Sequence, residues 1–337
     1  DDEPDAGTEN KLNQDEFAQA EVKRLIEVGT LQYSEGNHIK ALESHQSALT
    51  ILDKHKDEIA EGKAHGNLGV LYMTMGQHEK AINHIETAMA LSEKNGDERS
   101  IGVHHGNLAS VYDSQGHMDK ALSHLNKAIT IVKTYDDKRN LAIFVGNLGE
   151  LHLSQHQPEQ AIDNFRQAIE IGKEVGDIAT VGFNLGGLGD ALFELERISE
   201  AETAYQQAIT ETVEAFPATA AGARASLAVI KAHQARTEEA HALLELAEPH
   251  IKNIPEEYAG FLCKMGHVLH ISGNDDEAWA VLHKAEKIVK QLQTNDSSDA
   301  NKTVTQLKTL LMAGGEDNKT QAATESINST SHSNSEL

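Results

Sequence analysis

The chain has 337 residues, of which 53 are acidic and 29 basic, and its formal net charge is −24. A surface of that sign repels nucleic-acid phosphates and anionic lipids, so the composition argues against nucleic-acid and membrane partners. No apolar run approaches the roughly 20 residues that cross a bilayer. Cys263 is the only cysteine, so we expect no disulfide within the chain and a reducing, cytoplasmic compartment.

The first segment, residues 1–15, is acidic and polar and carries too little apolar surface to fold, so we expect it to be disordered. Helical periodicity starts near Phe17 and continues through Ala20, Leu25, Val28 and Leu31 at spacings of three to five residues. A helical region is therefore predicted from residue 16 onward.

Two rows of alanine come next, each with a period of 40 residues and the second row seven residues after the first. They are Ala41, Ala81, Ala121, Ala161 and Ala201, and Ala48, Ala88, Ala128, Ala168 and Ala208. Residues seven apart on a helix differ by about 20° in azimuth, so each pair of alanines forms a narrow stripe that a facing helix can approach closely. Self-similarity at this period indicates stacked helical units that share a continuous core.

Short polar breaks divide each unit into two helices. Gly36-Asn37, Gly76-Gln77 and Gly116-His117 mark the break inside a unit, where glycine accepts the left-handed conformation that ends a helix. Asn95-Gly96-Asp97 and Gly176-Asp177 mark breaks between units. The sequence therefore predicts helical pairs joined by tight turns.

The period loosens after residue 210, but Leu227, Ala240 and Ala247 preserve its spacing. The repeated region is predicted to span residues 16–293 and to contain about seven helix pairs. Residues 294–313 are predicted to form a linker and a capping helix, because Val304, Leu307 and Leu311 share one face. Residues 314–337 are rich in Ser, Asn and Thr, and we expect them to be disordered.

At these positions the chain resembles the tetratricopeptide repeat family. The family pattern W-x2-L-G-x2-Y…A-x3-F…A appears here as His65-x2-Leu68-Gly69-x2-Tyr72…Ala81-x3-Ile85…Ala88. The tryptophan and the final proline of the pattern are missing, and the period is 40 rather than 34 residues. Longer repeats of this kind are similar to those of Pins-type polarity adaptors and of many bacterial signalling proteins. The resemblance implies an all-α, right-handed superhelical solenoid with a capping helix.

In a tetratricopeptide superhelix the concave groove is lined by the first helix of each pair, on the side away from residues such as Leu68 and Tyr72. The resemblance thus implies a set of partner-binding residues at equivalent positions of successive first helices. These are Lys63, Gly66, Asn67, Val70, Thr74, Gly106, Asn107, Ser110, Ser114, Gly146, Asn147, Glu150, Ser154, Asp190 and Glu194.

Glycine recurs inside these first helices, at Gly66, Gly106, Gly146 and Gly186. Glycine inside a helix costs about 1 kcal/mol relative to alanine, so four repetitions need a physical reason. One reading is close approach by the helix of the neighbouring repeat. The other is close approach by a ligand backbone in the groove.

Asn67, Asn107 and Asn147, which we call the asparagine row, place amides in register on three successive first helices. An amide offers donors and an acceptor, so the row suits the main chain of an extended peptide. The alternative is a set of solvated or inter-repeat amides. Beyond the row, the three acidic candidates Glu150, Asp190 and Glu194 predict a partner with basic character.

The resemblance favours a non-enzymatic adaptor that binds a protein or peptide segment in its groove. The alternative is a ligand- or peptide-sensing module of a larger signalling protein. The basic clamp by which co-chaperones of the family hold a carboxylate is absent, since its positions carry Gly66, Val70 and Asn107.

No cofactor or metal site is predicted, and no nucleotide-binding or nucleophile motif occurs. His152 and His156 stand four residues apart but lack the glutamate of a helical zinc protease. His84 and His124 are in register, and we expect both to be solvated.

Overall fold

The structure, a computed structural model, describes residues 6–292 and 300–313, and within these ranges it contains helices and turns but no strand. It divides into two compact units, Asp1–Gln157 (unit 1) and Pro158–Leu337 (unit 2). Unit 1 holds helices α1 (Ala6–Ser34), α2 (His38–Leu52), α3 (Glu58–Thr74), α4 (His78–Asn95), α5 (Glu98–Ser114), α6 (Met118–Thr134) and α7 (Lys138–Ser154). Unit 2 holds α8 (Pro158–Val175), α9 (Ile178–Glu194), α10 (Ile198–Thr212), α11 (Pro217–His233), α12 (Thr237–Ile251), α13 (Pro255–Ile271), α14 (Asp275–Leu292) and α15 (residues 300–313).

Consecutive helices pack as pairs, α1 with α2, α3 with α4 and α5 with α6 in unit 1, and α9 with α10, α11 with α12 and α13 with α14 in unit 2. The predicted all-α fold of consecutive helix pairs is confirmed for the described residues.

Aspartates are the N-cap residues of the first helices in four successive repeats. The side chain of Asp57 accepts hydrogen bonds from the backbone N–H groups of Ile59 and Ala60 at the start of α3. Asp97, Asp137 and Asp177 cap α5, α7 and α9, each by accepting from the backbone N–H group three residues later. Such caps satisfy backbone donors that have no partner inside the helix and are typically worth about 1 kcal/mol each.

The turn inside each pair requires a left-handed residue, as predicted. Gly76 adopts φ of 69° between α3 and α4, and Gly36 and Gly116 do the same in their pairs. In the pairs α9–α10 and α11–α12 the position is held by Glu196 with φ of 57° and Ala235 with φ of 59°, and glycine returns as Gly273 between α13 and α14. The helical pairing therefore persists where the glycine signal is lost.

The core consists of the alanine rows and the large residues that pack between paired helices. Each of the ten row alanines is at most 1% exposed, and Leu68 and Ile85 are fully buried. A side chain larger than alanine in either row would overpack this seam at a cost of about 1–3 kcal/mol.

The ends of the described region differ in how they meet the prediction. Helix α1 begins at Ala6, inside the segment expected to be disordered. Helix α15 buries Val304, Leu307 and Leu311 in the core of unit 2, so this segment covers the last helix pair as a capping helix. Residues 1–5, 293–299 and 314–337 lie outside the described residues, and the domain boundaries remain predictions.

Candidate functional site

The first helices of successive pairs contact one another directly, α1 with α3, α3 with α5 and α5 with α7 in unit 1, and α9 with α11 and α11 with α13 in unit 2. The 40-residue period places equivalent residues of neighbouring first helices side by side. All fifteen predicted partner-binding residues lie on α3, α5, α7 or α9.

The structure favours the packing reading for two of the glycines that were predicted to bind a partner. Gly66 and Gly106 are buried, and a Cβ built on them would lie 3.1 Å from His104 Cε1 and 2.1 Å from Phe144 Cε1, respectively. These glycines therefore make room for a side chain of the next first helix, which is the packing reading. Gly146 is also buried, so none of the three presents its Cα to a ligand on an open surface.

Gly186 differs from its three predecessors. It is only partly buried, and a Cβ built on it would meet no atom within 4 Å. Packing thus explains the first two members of the series but not Gly186.

The asparagine row is half-buried on α3, α5 and α7. Asn67 Nδ2 donates to Thr30 Oγ1 at 3.3 Å. Asn107 and Asn147 have no hydrogen-bond partner among the residues that the structure describes. Their amides retain both donor and acceptor capacity for a ligand or for water.

The hydroxyl candidates around the row are already bonded to their own helices. Thr74 Oγ1 donates to the carbonyl of Val70 at 3.0 Å, and Ser110 Oγ donates to that of Gly106 at 3.3 Å. Ser114 and Ser154 donate to carbonyls three residues earlier. These groups offer a ligand less than the row amides do.

Apolar side chains stand at the register of Lys63 on the next two first helices. Lys63 is exposed, Val103 is half-buried, and Ile143 is exposed. Val70 on α3 and Glu150 on α7 occupy equivalent positions of their repeats, and both are half-buried. The amides therefore stand beside apolar surface.

In unit 2 the first helices line a cavity of about 350 Å³, which α15 helps to close. Its polar side chains include Asp190, Tyr205, Ser226, Lys264 and His267, and α15 adds Thr303 and Gln306. Its apolar side chains are Phe193, Val229, Cys263, Leu307 and Leu310. Of the predicted residues only Asp190 belongs to this cavity, and Glu194 lies exposed at the end of α9.

A hydrogen-bonded chain joins a cation to a carboxylate in this cavity. Lys264 Nζ donates to Ser226 Oγ at 2.5 Å, and the Tyr205 hydroxyl, which also interacts with Ser226, donates to Asp190 Oδ1 at 2.5 Å. Burial, followed by the charge of Asp190, raises the pKa of Tyr205 well above its ordinary value, so the hydroxyl stays protonated and remains a donor.

Two other titratable groups of the cavity are neutral at pH 7. Burial lowers the pKa of His267 to about 4, with the neighbouring His233 and His270 adding to the effect. Burial raises the pKa of Cys263 to about 12, so its thiol is not a reactive nucleophile. Lys264 is therefore the cation of this cavity.

The cavity residues could have been found by extending the repeat register past residue 210. Ser226 is 160 residues after Gly66, and His267 is 200 residues after Asn67. Lys264 stands 38 residues after Ser226, as His104 stands 38 after Gly66 and Phe144 stands 38 after Gly106. The sequence prediction ended its site at Glu194, where the glycine and asparagine signals stop.

The expectation that His84 and His124 are solvated is wrong. His84 Nδ1 lies 2.8 Å from His65 Nδ1, and His124 Nδ1 lies 3.0 Å from His105 Nδ1, so each half-buried imidazole has a partner on the paired helix. In the described ranges no cluster of three or more His, Cys, Asp or Glu side chains could hold a metal ion. None of the described helices combines the length and apolarity needed to span a bilayer.

Comparison with known proteins places this geometry among tetratricopeptide structures. The family model described as "MalT-like TPR region" matches residues 68–254. No curated protein sequence matches the chain.

Solved structures of similar fold include three bacterial proteins. Aspartyl phosphate phosphatase F from Bacillus subtilis is 16% identical, with a TM-score of 0.68, over 83% of this chain and 73% of that one. The Rap conjugation gene regulator of the plasmid pLS20, in complex with the Phr* peptide, is 18% identical, with a TM-score of 0.65, over 81% and 74%. The quorum sensor NprR from B. thuringiensis, in its apo form, is 15% identical, with a TM-score of 0.62, over 81% and 77%. At these identities the likeness concerns the fold.

Proposed function

The chain belongs to the family of the MalT-like TPR region, and we propose that it is a non-enzymatic binding protein that holds an extended segment of a partner protein or peptide. The segment lies along the side of α3, α5 and α7 that carries the half-buried asparagine row, and the row amides bind its main chain. Binding of this kind needs no cofactor, and we place it in the cytoplasm.

The observation that carries the proposal is the row itself, above all Asn107 and Asn147. Helices that pack together lie about 8–10 Å apart, and an extended chain rises about 3.3 Å per residue. Successive row amides would therefore meet main-chain groups about three residues apart. Each amide can donate to a carbonyl and accept from an N–H of the same segment.

The surroundings of the row favour a segment with apolar and basic side chains. Val103 and Ile143 offer apolar surface beside the amides. Glu150 on α7 adds an acidic group, and the net charge of −24 attracts cations at long range. We therefore expect binding to weaken as salt concentration rises.

The comparisons support a peptide ligand by analogy. The pLS20 regulator was solved in complex with a peptide, and NprR is described as a quorum sensor. Both have the same fold as this chain at low identity, so the analogy raises the expectation of a peptide but does not identify one.

The test is a pull-down from a lysate of the source organism with the wild-type chain and the triple variant Asn67→Ala, Asn107→Ala, Asn147→Ala. We expect the partner to be lost from the triple variant while circular dichroism shows an unchanged fold. The matched control is Asn83→Ala, Asn126→Ala, Asn164→Ala, which removes three amides from the even-numbered helices α4, α6 and α8. A partner retained equally by both variants places recognition elsewhere and overturns the proposal.

A second candidate function, a ligand-sensing module, is favoured by the cavity of unit 2. A sensor changes its dimensions when its ligand binds, whereas an adaptor holds its partner without a change. Small-angle scattering with and without ligand separates the two, because only the sensor shows a shift in the radius of gyration.

A further inference from the structure

The cavity of unit 2 carries one lysine, Lys264, that forms no direct ion pair and reaches Asp190 only through the hydroxyls of Ser226 and Tyr205. Lys264 is half-buried on α13, and its ammonium donates to the Ser226 hydroxyl. Within the described part of the chain no carboxylate lies within ion-pair distance of it. An ammonium that is partly removed from water loses hydration, which a neutral hydroxyl replaces only in part.

Two other lysines of unit 2 that are buried or half-buried form ion pairs with glutamates. Lys231 on α11 pairs with Glu202, and Lys308 on α15 pairs with Glu286 at 2.9 Å. Lys264 stands out because its ammonium contacts a hydroxyl instead of a carboxylate, in a cavity that Phe193 and Val229 also line. The cavity thus presents a positive head position next to an apolar wall.

We propose that this cavity binds an amphipathic carboxylate, with the carboxylate on Lys264 and an apolar body against Phe193, Val229 and Leu307. The proposal gives a ligand class to the second candidate function and rests on it. It is independent of the asparagine row, because the cavity and the row lie in different units.

The charges of the site select one anionic group rather than several. His267 is neutral at pH 7, so Lys264 alone compensates the ligand's charge. Asp190 lines the same cavity, so a singly charged carboxylate meets less repulsion there than a phosphate, which carries more than one negative charge. Its carboxylate, already held by the Tyr205 hydroxyl, can instead accept an N–H from the ligand body.

The size of the cavity limits the ligand. About 350 Å³ lies at the lower end of the range for small-molecule sites. A free carboxylic acid with an aryl or acyl body fits this class, and so does the last residue or two of a peptide. A carboxylate on an apolar body is the chemistry that both share.

The cavity is present because one position of the repeat carries a different kind of residue in unit 2 than in unit 1. In unit 1 this position carries His104 and Phe144, whose rings fill the space over Gly66 and Gly106. In unit 2 it carries Lys264, whose flexible chain reaches a serine instead of covering a glycine. Helix α15 supplies the remaining wall with Leu307 and Leu310.

The experiment measures binding of 4-phenylbutyrate to the full chain by isothermal titration calorimetry, with 4-phenylbutyramide as the uncharged analogue. We expect the acid to bind and the amide to bind at least about tenfold more weakly, because the amide cannot pair with the ammonium. The variant Lys264→Gln should bind the acid at least about tenfold more weakly than the wild type, and Lys264→Arg should retain the wild-type affinity. The control Lys290→Gln removes the same charge from the exposed face of α14 and should bind as the wild type does.

A second pair of probes separates the two sources of the carboxylate. N-acetyl-leucyl-phenylalanine with a free carboxyl group is compared with its carboxamide. Tighter binding of the free peptide acid than of 4-phenylbutyrate indicates a peptide terminus, and the reverse order indicates a small free acid.

Three results would overturn the proposal. They are no binding of either acid at about 10 mM, equal binding of acid and amide, and unchanged binding by a Lys264→Gln variant that circular dichroism shows to be folded. Any of these leaves the asparagine row untouched, so failure here is distinguishable from failure of the adaptor proposal.

Discussion

Unit 1 and unit 2 use the same 40-residue repeat to build two different surfaces. In unit 1 the first helices repeat the same side chains, so glycine sits under a ring and asparagine stands beside it on α3 and α5. In unit 2 the same positions carry Ser226, Lys264 and His267, and they line a cavity. Where the repeat is strict, equivalent positions on successive first helices carry the same chemical group. Where it has diverged, those positions carry different groups, which together form one local site.

This difference matters for recognition. A row of identical amides can bind any extended main chain, because every residue of a peptide carries the same N–H and C=O groups. One ammonium in an apolar cavity selects a ligand by its head group. The two units are therefore suited to different ligands, and each can be tested separately.

The largest expected effect concerns an ion pair of unit 2 between a buried lysine and a half-buried glutamate. Lys231 is 5% exposed at the position where α3 and α5 carry Leu71 and Val111, and it pairs with Glu202. Glu202→Ala leaves this ammonium buried without a partner, and we expect a loss of about 3–5 kcal/mol in the free energy of unfolding. Chemical denaturation followed by circular dichroism measures it.

Two further variants interpret that result. Glu200→Ala breaks the exposed pair with Arg197 and should cost less than about 1 kcal/mol. Lys231→Leu in the Glu202→Ala background restores the apolar residue of unit 1 and should recover most of the loss. If Glu202→Ala costs no more than Glu200→Ala, the pair does not hold unit 2 together.

Helical periodicity was enough to predict the packing within one helix pair. The alanine rows are buried because a stripe seven residues apart faces the paired helix, and Gly76 turns the chain between α3 and α4. Periodicity did not predict which residue of the next pair lies over a glycine. That depends on the 38-residue offset between Gly66 and His104, which is set by how neighbouring pairs pack and not by the helical period.

The candidate site residues likewise differ in whether the sequence alone could predict them. The asparagine row was visible because identical residues recur at one register. Lys264 was not, because a single lysine in a diverged repeat has no counterpart to mark it. Only the structure shows that Lys264 contacts Ser226 and lines a cavity together with residues of α15.

Acidification should affect unit 1 more than unit 2. Burial lowers the pKa of His45, His104 and His124 in unit 1 to about 4, and that of His267 in unit 2 to about the same value. Because the unfolded chain has histidine pKa values near 6.5, it binds more protons than the folded chain between pH 6.5 and 4. Stability is therefore complete above pH 6.5 and falls as the pH falls toward 4.

For a histidine as buried as His104 the loss is about 2 kcal/mol near pH 5. Hydrogen exchange at about pH 7.5 and pH 5, corrected for intrinsic rates, should show protection falling more in α3–α6 than in α11–α14. His104→Phe, which copies Phe144 at the equivalent position, should remove part of this dependence. Equal losses in the two units would contradict the histidine explanation.

The smallest effects separate the two kinds of glycine. Gly106→Ala places a Cβ 2.1 Å from the buried ring of Phe144, and we expect a loss of about 1–3 kcal/mol from overpacking, reduced by the higher helix propensity of alanine. Gly186→Ala meets no atom within 4 Å and should stabilise α9 by about 0.5–1 kcal/mol. Thermal unfolding measures the shift in Tm of each variant, and the two shifts should have opposite signs.

If Gly186→Ala also destabilises the chain, a neighbour approaches α9 more closely than the structure shows. If Gly186→Ala is stabilising but weakens ligand binding, the glycine is kept for a ligand, which is the reading that packing excludes for Gly66 and Gly106.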